Sequence, residues 1–403
     1  MKSFWRSLHP LAWLIAVGAC TPEEVYFDVL TTLDYEGQVT RIEYLGEYSD
    51  LDAMQFLQLA VTSPAAPITT TNDFSLYRYS YYTLNYDSSE VLVSGLVGVP
   101  HTEEIKGLVS WQHGTNTYRP GSISSPSPDE GIGLGALFCG DGYVLVAADY
   151  IGLGISTEVH PYYHMESTTR TVVDLLRIGE TVLNALTNDA NMQLFLAGFS
   201  QGGGASVAVQ RYLEEGNPTQ LELKGTAAIS GAYNLDEISF PYALQNKSIN
   251  SMTYIGLAAN AFAHIYNEPV DHIIQPSFAD QVSSWFDGTK GADFLTENLP
   301  DSLSAFVQPA FIQAIENRDS NHWMVRAIQE NEIYQFVPQH ELRLYYGSAD
   351  KDVSPEDSQD AYQYMQANGG NVKIFNLGPF SHDESILEAL PYVKDWFDEI
   401  HER

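Results

Sequence analysis

The stretch LFLAGFSQGGGASVA, Leu194 to Ala208, decides the fold. It opens on an apolar run, turns through Gly198-Phe199-Ser200-Gln201-Gly202, and continues into GGGASVAVQRYLEE. The apolar run has the pattern of a strand covered on both faces, and the segment after the turn that of a helix. A lone hydroxyl between glycines at such a junction needs a reason. On a tight strand-to-helix turn, a side chain at either flanking position would clash. The turn lifts the hydroxyl out of the sheet. It also aims the free N–H groups and the positive end of the helix dipole at whatever reacts there. A random G-x-S-x-G occurs in about one chain of this length in ten, so the strand before it and the helix after it carry the weight. Ser200 is the candidate nucleophile.

Working outward, FSLYRYSYYTLNY and EVLVSGLVGVP alternate in polarity and are separated by the short polar DSSE, the pattern of a β-hairpin. KGLVSWQ, YVLVAAD, MQLFLAG, LKGTAAIS, ELRLYYGS and NVKIFNL read as further strands. Between them, Val172, Leu175, Leu176, Val182, Leu183 and Leu186 form one stripe of a helix over 169–186. QDAYQYMQAN is helical, and so is ESILEALPYVKDWFDEI, with a break or kink expected near Pro391. Strands alternating with helices predict an α/β protein, with a mostly parallel sheet and helices on both faces.

Residues 237–339 break the alternation and are dense in aromatics. SINSMTYIGLAANAFAHIYN and AFIQAIENRDSNHWMVRAIQEN each read as a helix, so this segment is expected to be a helical cap inserted between two core strands. Most of its aromatics then form the cap's own core, and at most a few line a cleft. The expected division is 1–20 a signal segment, 21–75 an N-terminal leader containing the helical SDLDAMQFLQLA, 76–236 the first part of the core, 237–339 the cap, and 340–403 the second part of the core.

A serine needs a base to become a nucleophile. Of eleven histidines, His382 directly follows the last expected strand in the loop NLGPFSHDES, at the end of the sheet where Ser200 lies. His340 precedes a strand and so lies at the other end, and His401 is in the tail. The base in turn needs a carboxylate to orient it. Asp350 stands immediately after the strand ELRLYYGS. Asp352 competes in the same loop, and Asp236 and Glu237 are more distant alternatives. Acyl transfer also asks for two donors to a developing oxyanion. One is the backbone N–H of Gln201, and the other comes from HGTNTYRPG, where Thr115 is the choice and Gly114 the near alternative. His113 reads as a support for that loop.

Other features bound the function. A formal net charge of −33 argues against nucleic acid as a partner and reads as a solvated acidic surface. The 44% hydrophobic content supplies an ample core. MKSFWRSLHPLAWLIAVGAC carries Lys2 and Arg6 before an apolar run too short to span a bilayer. Its ending VGAC resembles a bacterial lipobox. The expectation is therefore a lipid-modified Cys20 that anchors an extracytoplasmic protein to a membrane, with a soluble secreted form as the alternative. Cys139 is then left without a disulfide partner. His160 and His164 in HPYYH could suggest a metal site, but the chemistry needs neither metal nor cofactor. Trp111, Tyr118 and Tyr150 either border the substrate pocket or pack around the loops.

Several of these segments together resemble the α/β-hydrolase superfamily, and within it the secretory lipase group and related bacterial esterases. The matching pieces are WQHGT, DYIGLG, HPY, GFSQGG, and NEIYQFVP ahead of YYGSADKDV. The spacing G-x-x-D-x-x-V from Gly347 to Val353 resembles the superfamily's acid-bearing loop and puts the acid on Asp350. The superfamily's order of nucleophile, acid and histidine fits Ser200, Asp350 and His382. The resemblance implies hydrolysis of apolar acyl or aryl carboxylic esters through an acyl-enzyme. A serine peptidase of the same fold and a non-catalytic, lipid-anchored binding protein are the alternatives.

Overall fold

The computed structural model describes residues 25–60, 70–187 and 191–403. Nine strands make a single sheet: β1 Val39–Tyr48, β2 Phe74–Leu84, β3 Glu90–Pro100, β4 Gly107–Gln112, β5 Tyr143–Ala148, β6 Gln193–Phe199, β7 Glu222–Ile229, β8 Leu342–Gly347 and β9 Val372–Gly378. Their order across the sheet is β1-β2-β3-β5-β4-β6-β7-β8-β9. The pairs β1–β2, β2–β3 and β3–β5 are antiparallel. All pairs from β5–β4 to β8–β9 are parallel. The fold is thus the mostly parallel α/β sheet that the alternating pattern implies. The hairpin closes with Leu84 opposite Glu90.

The central strands are covered on both faces. Leu108, Val144 and Leu194 pack on one side with Leu175 and Val182 of α1 (Met165–Thr187) and Val209 of α2 (Gln201–Gly216). Their neighbours Val109, Leu145 and Phe195 pack on the other side with Trp396 and Phe397 of α3 (His382–His401). Successive side chains of a strand point to opposite faces, so a strand buried on both must be apolar throughout. That is why these segments carry no alternation.

Three local expectations change. VTRIEYLGEY, within the leader, forms β1 and pairs with β2 at the sheet edge. Its polarity pattern is blurred by breaks in pairing register between Val39 and Arg41 and between Tyr44 and Gly46, so strict alternation could not reveal it. The segment AFIQAIENRDSNHWMVRAIQEN is two helices, Pro309–Glu316 and Trp323–Glu330. Its middle is rich in residues that favour turns, and Arg318 there takes a positive φ of 49°. Conversely, α3 runs through Pro391 without a break. Pro391 is buried together with Ala389, Leu390, Val393, Trp396 and Phe397, and this packing outweighs the one helix hydrogen bond a proline removes.

Between β7 and β8 the described segments are helical and include α4, Ser251–Tyr266. Phe262, Phe286, Phe306, Phe311 and Trp323 are buried in one cluster that also contains Ala228 and Leu342 of the sheet. The insertion therefore shares a core with the strands that flank it. Cys139 is a buried free thiol, and burial raises its pKa. Cys20 and the signal segment lie outside the described residues. Among those residues, no helix is long and apolar enough to cross a membrane.

Candidate active site

Ser200 occupies the turn between β6 and α2 with φ 57° and ψ −120°. Such a conformation is costly for a residue with a Cβ and persists only where the surroundings enforce it. Here they do: the Ser200 N–H donates to Ile229 O on β7 at 2.9 Å, and Ser200 O accepts from Gly203 N at 2.9 Å. A methyl group at Gly202 would stand 1.9 Å from Gln112 O, and one at Gly198 would stand 2.2 Å from Gly202 O. Close approach of backbone to backbone therefore demands both glycines. The turn holds Ser200 at the C-terminal end of the parallel strands, where loops after β4, β7, β8 and β9 gather.

Two of those loops bring the partners. His382 begins α3 immediately after the β9 loop, where Glu384 accepts from the Ser381 backbone N–H (2.8 Å) and hydroxyl (2.7 Å) and fixes the helix start. His382 Nε2 lies 2.8 Å from Ser200 Oγ, and His382 Nδ1 lies 2.6 Å from Asp350 Oδ2. A carboxylate accepts only, so Nδ1 carries the proton and Nε2 is left free to accept from the serine hydroxyl. All three side chains are buried. Asp350 is itself held by its other oxygen, which accepts from the backbone N–H groups of Asp352 (2.8 Å) and Val353 (2.9 Å). Phe199 packs against the imidazole with ring centroids 4.6 Å apart.

The pKa of His382 is raised. Burial opposes this, but the charge and hydrogen bond of Asp350, followed by the charges of Asp352 and Asp383, outweigh it. Asp352, the competitor in the sequence, does not bond the imidazole. Its Oδ1 accepts from Ser248 Oγ (2.9 Å), Asn250 Nδ2 (2.7 Å) and the Tyr254 hydroxyl (2.6 Å). Burial would raise its pKa, but the nearby His382 and these three donors bring it below the usual value.

The loop after β4 passes beside the serine. A methyl at Gly114 would lie 3.6 Å from Ser200 Cβ. His113 ties this loop to the end of β5 through Gly114 O (2.7 Å) and Asp149 O (3.1 Å), and stacks on Tyr150 at 4.1 Å. Thr115 is buried, and its hydroxyl lies 2.9 Å from the Tyr162 hydroxyl. Gln201 is the first residue of α2, where a backbone N–H has no partner within the helix. Its side chain donates to His160 Nε2 at 3.2 Å, while His160 Nδ1 donates to Ile151 O at 2.8 Å. Burial lowers the His160 pKa to about 4, so the ring is neutral and able to accept. Among the described residues, the backbone N–H groups of Thr115 and Gln201 meet no acceptor.

A cavity of about 550 Å³, counted to its open mouth, reaches Ser200 and lies between the sheet end and the insertion. Its walls are mainly apolar: Tyr162, Tyr163, Leu235, Phe240, Ile255 and Val353 contribute, and Ser239, Tyr254 and Asp352 supply polar groups. Trp111, Tyr118 and Tyr150 are absent from it. Trp111 is in the core and donates to Glu130, Tyr150 is buried against His113, and Tyr118 forms a bridge to Thr289 of the insertion. Asp236 and Glu237 are also remote from the imidazole, and both pair with Arg318.

The sequence did not single out the support of the wall after β7. Asp357 Oδ1 accepts from the backbone N–H groups of Tyr233 (2.9 Å) and Asn234 (2.8 Å), and its Oδ2 accepts from Ser239. Glu332 accepts from Leu235 N (3.0 Å) and Asp236 N (2.7 Å). Burial raises both carboxyl groups to about 7 despite these donors. Glu332 lies within NEIYQFVP and Asp357 four residues beyond Val353, but neither stretch marks a carboxylate that caps a distant turn, and only the fold brings them there.

A mostly parallel sheet with a serine on the β6–α2 turn and a helical insertion after β7 defines an α/β-hydrolase. The family model for secretory lipases matches residues 136–400, and the chain belongs to that family, a class of lipase and esterase hydrolases. Among solved structures, a Legionella pneumophila protein provisionally classed as a hydrolase is similar, with 24% identity and a TM-score of 0.83 over 91% of this chain and 99% of that one. A G231F mutant of the rice cell wall degrading esterase LipA from Xanthomonas oryzae has 23% identity and a TM-score of 0.81 over 90% of this chain and 98% of that one. Candida antarctica lipase A in its closed state has 13% identity and a TM-score of 0.63 over 94% and 85%. At these identities the three structures speak for the fold. No curated protein sequence matches.

Proposed function

We propose that the protein is a serine-dependent carboxylic ester hydrolase acting on apolar acyl or aryl esters. The observation that carries this reading is the unbroken relay from Ser200 Oγ to His382 Nε2 (2.8 Å) and from His382 Nδ1 to Asp350 Oδ2 (2.6 Å). Ser200 attacks the ester carbonyl carbon while His382 takes its proton, and Asp350 keeps the imidazole in the tautomer that can accept it. The tetrahedral oxyanion is received by the N–H groups of Gln201 and Thr115. Collapse breaks the bond to the alcohol, which leaves with the proton from His382. Water, activated by the same imidazole, then releases the acid and restores Ser200. No metal or cofactor enters any step.

The helical insertion over 237–339 acts as a cap in this reading, closing the apolar cavity over the serine. The leader sequence ending in Cys20 supports an extracytoplasmic enzyme anchored by lipid. Mass spectrometry of the mature N-terminus tests that part: an acylated Cys20 supports it, and an unmodified chain cleaved elsewhere overturns it.

The central test is labelling with a fluorophosphonate, combined with turnover of matched p-nitrophenyl esters and aminoacyl amides. Modification of Ser200 and preferential ester hydrolysis are expected. Wild-type protein that neither labels nor turns over esters overturns the reading.

A further inference from the structure

The cavity beside Ser200 contains a carboxylate that the ester chemistry does not use. Asp352 is half-buried in a wall built mainly from aromatic and aliphatic side chains, in which it is the one charged group among the described residues. One of its oxygens is saturated: Ser248, Asn250 and Tyr254, all from the insertion, donate to Oδ1. Among the described residues, Oδ2 has no partner. Holding an anion against an apolar pocket is costly unless its hydrogen-bonding capacity is used. Three donors fix the carboxylate in place, and its second oxygen is left for something that arrives. A carboxylate can only accept, so the arriving group must be a donor.

We infer that Asp352 is a specificity residue, and that the substrate moiety seated in this cavity is an apolar, preferably aromatic, group carrying one hydrogen-bond donor, a hydroxyl or an ammonium. This rests on the proposed hydrolase reading and adds to it a substrate class. Tyr162, Tyr163, Phe240 and Tyr254 supply faces and edges for an aromatic body. Asp352 supplies the acceptor, and the same charge rejects acyl groups that end in a carboxylate. Asp350 is excluded from this role because both its oxygens are occupied, one by His382 and the other by two backbone amides.

The test uses the full-length protein and two substrate series. The first is methyl hydrocinnamate with its para-hydroxy, meta-hydroxy, para-aminomethyl and para-carboxy analogues, which vary the acyl side. The second is phenethyl acetate and its para-hydroxy analogue, which vary the alcohol side. All rates are taken on the alkaline plateau, where the effect of Asp352 on His382 titration does not enter. Wild-type kcat/KM is expected to favour a donor-bearing member over its plain parent in at least one series by about ten-fold, the scale of a hydrogen bond to a charged acceptor. The hydroxy and aminomethyl arms show which donor is recognised.

Asp352→Asn retains an oxygen for the three donors of the insertion and turns an amide N–H toward the cavity. It is expected to erase the preference, mainly through KM, and to improve the para-carboxy ester relative to the parent. A merely structural role would lower all substrates together and leave the ratios unchanged. Equal wild-type kcat/KM for plain and donor-bearing members in both series overturns the inference, and this result needs no variant to fold. So does a preference that survives Asp352→Asn. If plain esters are turned over and Ser200 labels while the preference is absent, only this inference fails. If no ester is turned over and Ser200 does not label, the hydrolase reading fails first.

Discussion

The loop after β8 and the turn after β7 wall the same cavity from different strands, and both depend on buried acids. In the loop, Asp350 bonds an imidazole and Asp352 lies near it, and the Asp352 carboxyl is held below its ordinary range. At the turn, Asp357 and Glu332 meet backbone N–H groups and a serine hydroxyl, with Asp360 and Asp236 close by as additional negative charge. Both of those carboxyls rise to about 7. All four are carboxylates, but burial is the main cause that raises Asp357 and Glu332, whereas at the half-buried Asp352 the nearby His382 and three side-chain donors outweigh it. A carboxylate bonded to a titratable imidazole can set its tautomer and raise its pKa, whereas one bonded only to amides and a hydroxyl holds a shape. The proposed mechanism therefore draws on the β8 loop, while the carboxylates of the β7 turn hold a wall of the cavity.

The sharpest way to break this division is to remove the group on which the loop acts. Ser200→Ala should lower kcat for ester hydrolysis by about 10⁴-fold or more and leave Tm within a few degrees of wild type. Wild-type turnover by the purified variant would end the assignment. Next in size, Asp350→Asn should reduce kcat by about 10²–10⁴-fold, because an amide in place of Oδ2 no longer selects the tautomer with a free Nε2. Stopped or steady-state ester assays read both variants. If Asp350→Asn lowered Tm strongly while sparing kcat, the loop would be architectural too and the contrast would collapse.

How much of this was visible beforehand follows the same division. Ser200, His382 and Asp350 could be read because each stands directly after an apolar strand, in a loop whose residues match its position. Strand ends are fixed by local pattern, and local pattern is what a sequence displays. Thr115 and Gln201 also follow strands, and among the described residues their backbone N–H groups meet no acceptor. By contrast, Asp357 sits inside PEDSQDAYQYMQA, a helix whose sequence is unremarkable in polarity, and Glu332 lies in a loop 97 residues beyond the Leu235 that it caps. Their roles arise from contacts between elements distant in the chain. The strand over 39–48 was hidden because its bulged, half-exposed edge never produces a clean alternation. For Trp111, Tyr118 and Tyr150 the sequence left pocket and packing open; packing holds Trp111 and Tyr150 in the interior, Tyr118 bridges to Thr289, and Tyr162, Tyr163 and Tyr254 stand at the wall.

A smaller effect tests the β7 turn. The Asp357 carboxyl moves from 3.8 to about 7 on folding, and that of Glu332 from 4.5 to about 7. Between about pH 4 and pH 7 the folded protein keeps protons that the unfolded chain has released, so stability falls as pH rises through that window. Asp357→Asn removes one of these titrations. Its Tm should lie below wild type near pH 5, and the gap should narrow by a few degrees toward pH 8. Calorimetry across that range checks it. A gap that widens with pH would show that Asp357 is charged in the folded protein, and the two regions would then be alike.

The smallest effect sharpens the loop side. Asp383 follows His382 at the start of α3 and bonds none of the relay groups, yet its charge is among those that raise the imidazole pKa, after Asp350 and Asp352. The relay works only while His382 is neutral, so the acid limb of kcat/KM follows that pKa. Asp383→Asn removes a negative charge and makes the imidazolium less favourable. The limb must therefore move to lower pH, with plateau activity within about two-fold of wild type, since no contact to Ser200 or Asp350 is lost. The shift should shrink as salt is added, because Asp383 acts through space and ions screen such an effect. A limb that stays fixed, or moves to higher pH, would mean that the imidazole senses only the carboxylate it touches. The surplus acid around His382 would then belong with the structural carboxylates of the β7 turn.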